Sequence, residues 1–156
     1  MKTNILKTDV VLINKEDCNE YEYFLEGVFF DFKDCDIDTS SLNKENLISS
    51  IKNKISKRVL LGMFITNLDM FTNLDYITIH EPCVWLSNVS SLVEDFSYDP
   101  INDVISAKLR VLNTECGHKL KKYILKKNTI FSNLRYKFID SADGLIMEII
   151  SFDAIS

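Results

Sequence analysis

"VISAKLRVLNTECGHKLKKYI", residues 104–124, changes its hydrophobic period partway along. Up to Leu112 the alternation is strict. Ile105, Ala107, Leu109 and Val111 point one way and Ser106, Lys108 and Arg110 the other, the pattern of a strand with one buried face. Past Asn113 the spacing becomes helical, with Cys116, Leu120, Tyr123 and Ile124 on one face of a helix over about 115–127. Thr114 sits where an N-cap belongs, its hydroxyl able to accept a first-turn amide. Gly117 is costly inside a helix and marks close packing against a neighbour. Cys116 reads as a buried small apolar residue. His118 falls on the outer face with Lys119, Lys121, Lys122, Lys126 and Lys127.

Working outward, most other segments read as strands. "DVVLINKE" (9–16) is a short apolar run. "YEYFLEGVFFDF" (21–32) is aromatic, β-branched and apolar on both faces, the pattern of a central strand. "DIDTSSLNKENL" is turn and cap chemistry leading into a helix at about 43–56, with Leu47, Ile48, Ile51 and Ile55 on one face. "RVLLGMFI" (58–65) returns as a strand. "LDYITIHE" and "CVWLSNVSSLVEDFSY" look extended, and "YDPIND" (98–103) is a turn. Two last strands, "SNLRYKFID" and "GLIMEIISF", flank the turn "SADG". The pattern predicts an α+β fold, a strongly bent, mostly antiparallel sheet or small β-barrel with two main helices.

Length and composition bound the function. The 156 residues suit a single domain, 1–156, and 46% hydrophobic content with 10 Phe and 6 Tyr supplies a core. With 4 Gly and 2 Pro there is no long flexible linker. A net charge of −5 argues against nucleic acid as a partner. No apolar run is long enough to span a bilayer, and the first residues lack a signal peptide's apolar core, so the expectation is an intracellular chain without a membrane partner. Cys18, Cys35, Cys83 and Cys116 show no paired spacing and are expected to be reduced thiols.

Cysteine and histidine so close together at 116 and 118 invite a chemical reading. A zinc site built from His80, Cys83, Cys116 and His118 has suitable ligand types, but His-x-x-Cys and Cys-x-His fit no common structural site. A Cys116 nucleophile with His118 as base fails on geometry, since side chains two apart on a helix diverge. The lysines of this helix form a solvated face without interleaved aromatic residues. No metal and no cofactor are expected.

The segment "AKLRVLNTECGHKLKKYI" resembles part of the prohead maturation proteases of tailed bacteriophages, serine peptidases of the herpesvirus-assemblin-like class. Those enzymes commonly show a strand ending "LDTP", a Gly two residues on, and a helix. Leu112-Asn113-Thr114 and Gly117 occupy those places, and Cys116 and His118 fall at positions that are not catalytic in that family. The likeness runs along the chain in order. "FLEGVFFDF" resembles the early strand with its Glu-Gly, and "LNKENLISSIKNKI" the helix after it. "RVLLGMF" resembles the strand that normally reads Leu-Gly-Glu-Leu, and "NVSSLVEDFSYD" the segment with Val-Ser-His. "TIFSNLRYKF" lies where the family has Gly-Val-Ser-Ser-Arg-Gly. "MEIISFDAIS" resembles the closing strand, often ending Phe-Asp-(Ile/Leu)-Val-Ser.

The departures fall at the chemistry that the resemblance implies, a serine activated by a histidine and a third group orienting it. Thr66 stands in place of the base, and the second histidine position falls on Ser91, or on Val84 in another register. Ser132 aligns with a family serine and Arg135 with the nearby arginine, but Ile130 and Tyr136 replace the glycines. His80, in His80-Glu81-Pro82, offers a shifted base for Ser132. The resemblance therefore implies a catalytically degenerate, non-enzymatic member that acts in head assembly by binding, as an inhibitor of the prohead protease or a structural prohead component. Its expected partners are the protease, the scaffold or the capsid protein, with a homodimer also open. Its expected place is the host cytoplasm or the inside of the prohead or virion. One alternative is an active endopeptidase cutting scaffold and capsid precursors through Ser132, His80 and Arg135. A further alternative is a phage protein that binds a host defence factor.

Overall fold

The alternation at 104–111 holds residue for residue in the computed structural model, which describes residues 4–15, 18–35, 37–66 and 88–156. Ile105, Ala107, Leu109 and Val111 are buried along a strand, Val104–Val111, whose other residues are half-exposed. In chain order the elements are β1 (Lys7–Lys15), β2 (Cys18–Asp31), a 3-10 turn (Phe32–Asp34), α1 (Lys44–Ser56), β3 (Leu61–Ile65), β4 (Val89–Asp99), β5 (Val104–Val111), α2 (Glu115–Leu125), β6 (Phe131–Ser141) and β7 (Gly144–Ile155).

The strands form one seven-stranded sheet in the order β1-β2-β5-β4-β3-β7-β6. Every pairing is antiparallel except β3 with β7, which run parallel through Phe64–Ala154 and Ile65–Ile155. The sheet curls until its two ends meet. Residues just ahead of β1 bridge to β6 at Ile5–Phe131, with Leu6 N donating to Ile130 O at 2.8 Å and Ser132 N to Asn4 O at 2.7 Å. This is the bent α+β sheet that the hydrophobic periods predict.

One apolar cluster fills the curl. Leu25 and Phe29 of β2, Leu109 of β5 and Phe152 of β7 meet Leu47 and Ile51 of α1 and Leu120 and Ile124 of α2. Each such fully buried side chain contributes roughly 1.5–3 kcal/mol. Ile65 and Ile155, with Phe131 against them, make a smaller separate cluster.

Both helices begin as expected. Asn43 caps α1 by accepting from Asn46 N at 3.1 Å. Thr114 caps α2 by accepting from Gly117 N at 2.9 Å while its hydroxyl donates to Val89 O at 2.5 Å, which ties the helix start to β4. A Cβ on Gly117 would stand 1.9 Å from Leu112 O, so only glycine fits there. Gly117 takes the buried place expected for Cys116, which is half-exposed. Cys35 and Cys116 are thiols rather than disulfide partners.

Two boundaries move inward for one reason. Arg58 (φ 55°) and Lys127 (φ 57°) adopt left-handed backbone just after their helices. The α1 exit bonds Arg58 N to Ile55 O and Val59 N to Lys54 O, so β3 starts at Leu61 rather than Arg58. Lys126 is the C-cap of α2, which therefore ends at Leu125 rather than 127. "LDYITIHE" lies outside the described residues. Among the described residues, no helix is long and apolar enough to cross a membrane.

β1 and β2 outrun the rest of the sheet. The pairing of β2 with β5 begins at Phe24–Arg110, whereas β1 and β2 pair from Lys7–Glu26 out to Lys15–Cys18. Residues 10–15 and 18–23 thus form a two-stranded ribbon beyond the curled sheet.

Candidate functional site

Ser132 stands near the start of β6, opposite Ala154 of the main core, and is 2% exposed. Its Oγ accepts a hydrogen bond from Asn4 N at 3.3 Å. Beside it, where β2 and β6 part, a cleft of about 570 Å³ opens. Val28, Phe30 and Asp31 line one wall and Ser132, Leu134 and Tyr136 the other. The Phe30 and Tyr136 rings meet edge to face across it, centroids 4.9 Å apart. Among the described residues lining the cleft, the acidic side chains are Asp31 and Asp34, and there is no histidine. Asp31 caps the 3-10 turn by accepting from Lys33 N at 2.9 Å. A serine hydroxyl needs a base within about 2.6–3.2 Å, or one water away, to act as a nucleophile.

Arg135 aims away from Ser132. Three residues apart on a strand place the two side chains on opposite faces. Arg135 Nε donates to Asp153 Oδ2 at 2.7 Å, and the two residues are 2% and 0% exposed. Asn133 Nδ2 donates to the same oxygen at 3.4 Å, and Met63 N donates to Asp153 Oδ1 at 2.9 Å. One buried carboxylate therefore joins β3, β6 and β7 at the point where the β3–β4 register slips between Gly62 and Met63. The structure does not bring the Arg135 guanidinium to Ser132.

Thr66 and Ser91 occupy the two places where the resemblance implies histidines. Thr66 is exposed past the end of β3, its carbonyl accepting from Ser156 Oγ at 3.3 Å. Ser91 is fully buried on β4, opposite Gly62 on one side and Val111 on the other. Its hydroxyl has no hydrogen-bond partner among the described residues, and neither has that of Ser151. In the order β4-β3-β7-β6, Ser91 and Ser132 are three strand spacings apart, about 14 Å along the sheet. Ile130 is buried in the core and Tyr136 is half-buried, so the positions that are glycines in the resembling family carry packing side chains here. His80, Cys83 and Val84 lie outside the described residues. His118 is exposed on α2. Among the described residues, no three His, Cys, Asp or Glu side chains gather to hold a metal ion.

A second polar group ties the first helix to the sheet. Lys44, at the start of α1, and Tyr98 both donate to the Asp103 carboxylate in the β4–β5 turn, and Lys44 lies 4.7 Å above the Phe32 ring. Burial works against ionisation of Asp103, but the hydrogen bonds from Lys44 and Tyr98 and the lysine's charge outweigh it, so the carboxyl is held below its ordinary value. Burial likewise opposes the charge on Lys44, and the bonds to Asp103 and Tyr98 outweigh it and raise its pKa.

Sequence reasoning reached Ser132 and Arg135 through a resemblance and missed Asp153. The available signal was a lone acid inside the apolar run "IISFDAI". A carboxylate there has to be paired if the strand is buried.

No protein-family model matches the sequence, and no curated protein matches it. Among solved structures, the chain is similar to the bacteriophage T4 capsid assembly protease, with a TM-score of 0.59 and 14% sequence identity, over 99% of this chain and 95% of that one. At that identity the likeness is one of fold: an α+β chain with a mostly antiparallel, mixed sheet and two main helices that distantly resembles the phage prohead-protease fold from end to end.

Proposed function

We propose that this chain acts in phage head assembly by binding rather than by cutting. It is a non-catalytic relative of the prohead protease that either restrains the active enzyme or serves as a structural component of the prohead. The observation that carries the reading is the setting of Ser132. The aligned serine is retained, yet its hydroxyl is engaged by a backbone amide and the described residues around its cleft include no histidine. Thr66 and Ser91 stand where the bases would be, and neither takes a proton from a serine near neutral pH. The arginine is committed to Asp153. Fold likeness to a capsid assembly protease over nearly the full length of both chains favours head proteins as partners. On this reading the protein works in the host cytoplasm, or inside the prohead if it co-assembles.

The test is incubation with phage scaffold and capsid precursors, alone and with the cognate active protease. The expected result is no cleavage alone, and inhibition or co-assembly in the mixture. Cleavage that disappears in both Ser132→Ala and His80→Ala would instead establish a Ser132–His80 endopeptidase. Failure to bind any head protein would turn attention to a host defence factor as the target.

A further inference from the structure

We propose that β1 is a docking edge for β1 of a second copy of this chain, the two strands pairing antiparallel about Leu12. This goes beyond the binding role above and does not depend on it.

Residues 7–12 of β1 are all exposed. β1 is the end strand of the sheet order, and among the described residues only β2 pairs with it beyond Leu6. Its outer edge therefore presents main-chain donors and acceptors to solvent along the ribbon. Sheets usually blunt such an edge with proline, an inserted charge or a bulge. This one has none of these at its centre. Val10, Val11 and Leu12 follow one another at 43%, 44% and 46% exposure, the β1–β2 register is unbroken from Lys7 to Lys15, and the charges stand toward the ends. The patch extends to β2, where Tyr21, opposite Leu12, is 53% exposed. A ribbon of two strands is marginal in water, and a third and fourth strand give it independent stability. A second copy would complete a four-stranded β2-β1-β1-β2 sheet.

Charge selects this occupant and its register. A two-fold antiparallel pair of identical strands sets one residue against itself, and each choice fixes the rest. Centred on Leu12, Asp9 falls opposite Lys15 twice, Val11 opposite Ile13, and no like charges meet. Centred on Val11, Lys7 falls opposite Lys15 twice. Centred on Val10, Lys7 falls opposite Ile13 and Asp9 opposite Val11, which wastes both charges. Opposite charges directly across strands stabilise a sheet and like charges destabilise it.

The experiment is sedimentation of the full chain over a range of concentrations, with amide hydrogen exchange of residues 9–15 measured in parallel. Wild type is expected to pass from monomer to dimer as concentration rises, with slower exchange in β1 at the high end. Leu12→Lys sets two lysines against each other and should remain monomeric while its melting temperature as a monomer is unchanged. Asp9→Lys should weaken dimerisation about tenfold, because two attractive pairs become repulsive together. Asp9→Lys combined with Lys15→Asp should recover it. A wild type that stays monomeric at the highest concentration overturns the proposal. So does a dimer untouched by Leu12→Lys, or one that the double exchange fails to restore. A monomer whose β1 amides become protected only on adding a head protein also overturns it, and gives the edge to a foreign strand.

Discussion

Arg135 and Asp153 face each other across β6 and β7 as an ion pair, Nε to Oδ2 at 2.7 Å, with almost no exposure of either side chain. Two charges taken out of water repay that cost only when their remaining groups are bonded, and Asp153 meets the condition by also accepting from Met63 and Asn133. Removing one partner leaves the other charged and alone. Asp153→Ala is expected to cost about 3–5 kcal/mol in urea unfolding. A loss under about 1 kcal/mol would mean that water reaches Arg135.

Leu120 is the best single test of how α2 sits on the sheet. It is fully buried in the main cluster. Leu120→Ala should destabilise by about 2–5 kcal/mol, and a loss below about 0.5 kcal/mol would show that this helix face is not in the core.

Gly117→Ala gives a reversal of sign. Helix propensity alone favours alanine over glycine by about 1 kcal/mol in a helix interior. Here the added carbon meets Leu112 O at 1.9 Å, a backbone atom that cannot swing aside as a flexible side chain could. The variant should melt below wild type, and a stabilised variant would contradict the packing.

The Asp103 cluster predicts both ends of the pH–stability curve. The folded carboxyl titrates below its unfolded value of about 3.9, so its contribution is present above that pH and lost as pH falls through the folded value. Lys44 is raised, so its contribution is full below about pH 10.4 and lost as pH rises through the folded value. Tyr98 is raised as well, with burial the largest cause, and adds to the alkaline loss. Asp103 has φ 57°, a backbone that asparagine also tolerates, so Asp103→Asn removes the charge without straining the turn. It should cost about 1–3 kcal/mol at neutral pH and flatten the acid limb, read by thermal melts across pH.

What the sequence made legible was what period and capping determine. β5 alternates cleanly because one face is buried and the other is half in solvent. Thr114 and Asn43 cap because few other residues accept a first-turn amide at that place. The rest depends on partners distant along the chain. Asp153 lies 18 residues from Arg135 and 90 from Met63, and no local pattern shows that these groups meet. Arg135 illustrates the limit of resemblance. Its alignment with a family arginine marked it as important, but only the strand's two-faced geometry shows that it points away from Ser132.

The meeting of residues 4–6 with β6 also sets an order in time. Asn4 bonds to Ser132, a separation of 128 residues, so the first stave of the curl waits for nearly the last. During synthesis the sheet cannot close until β6 and β7, the strand that joins β6 to β3, have left the ribosome. Contacts this distant slow folding because the loop entropy is lost before the contact forms. A chain interrupted before residue 130 would carry most of the core-forming residues and still lack β6 and β7, the two strands that shut it, exposing the seam beside Leu6 and Gly27.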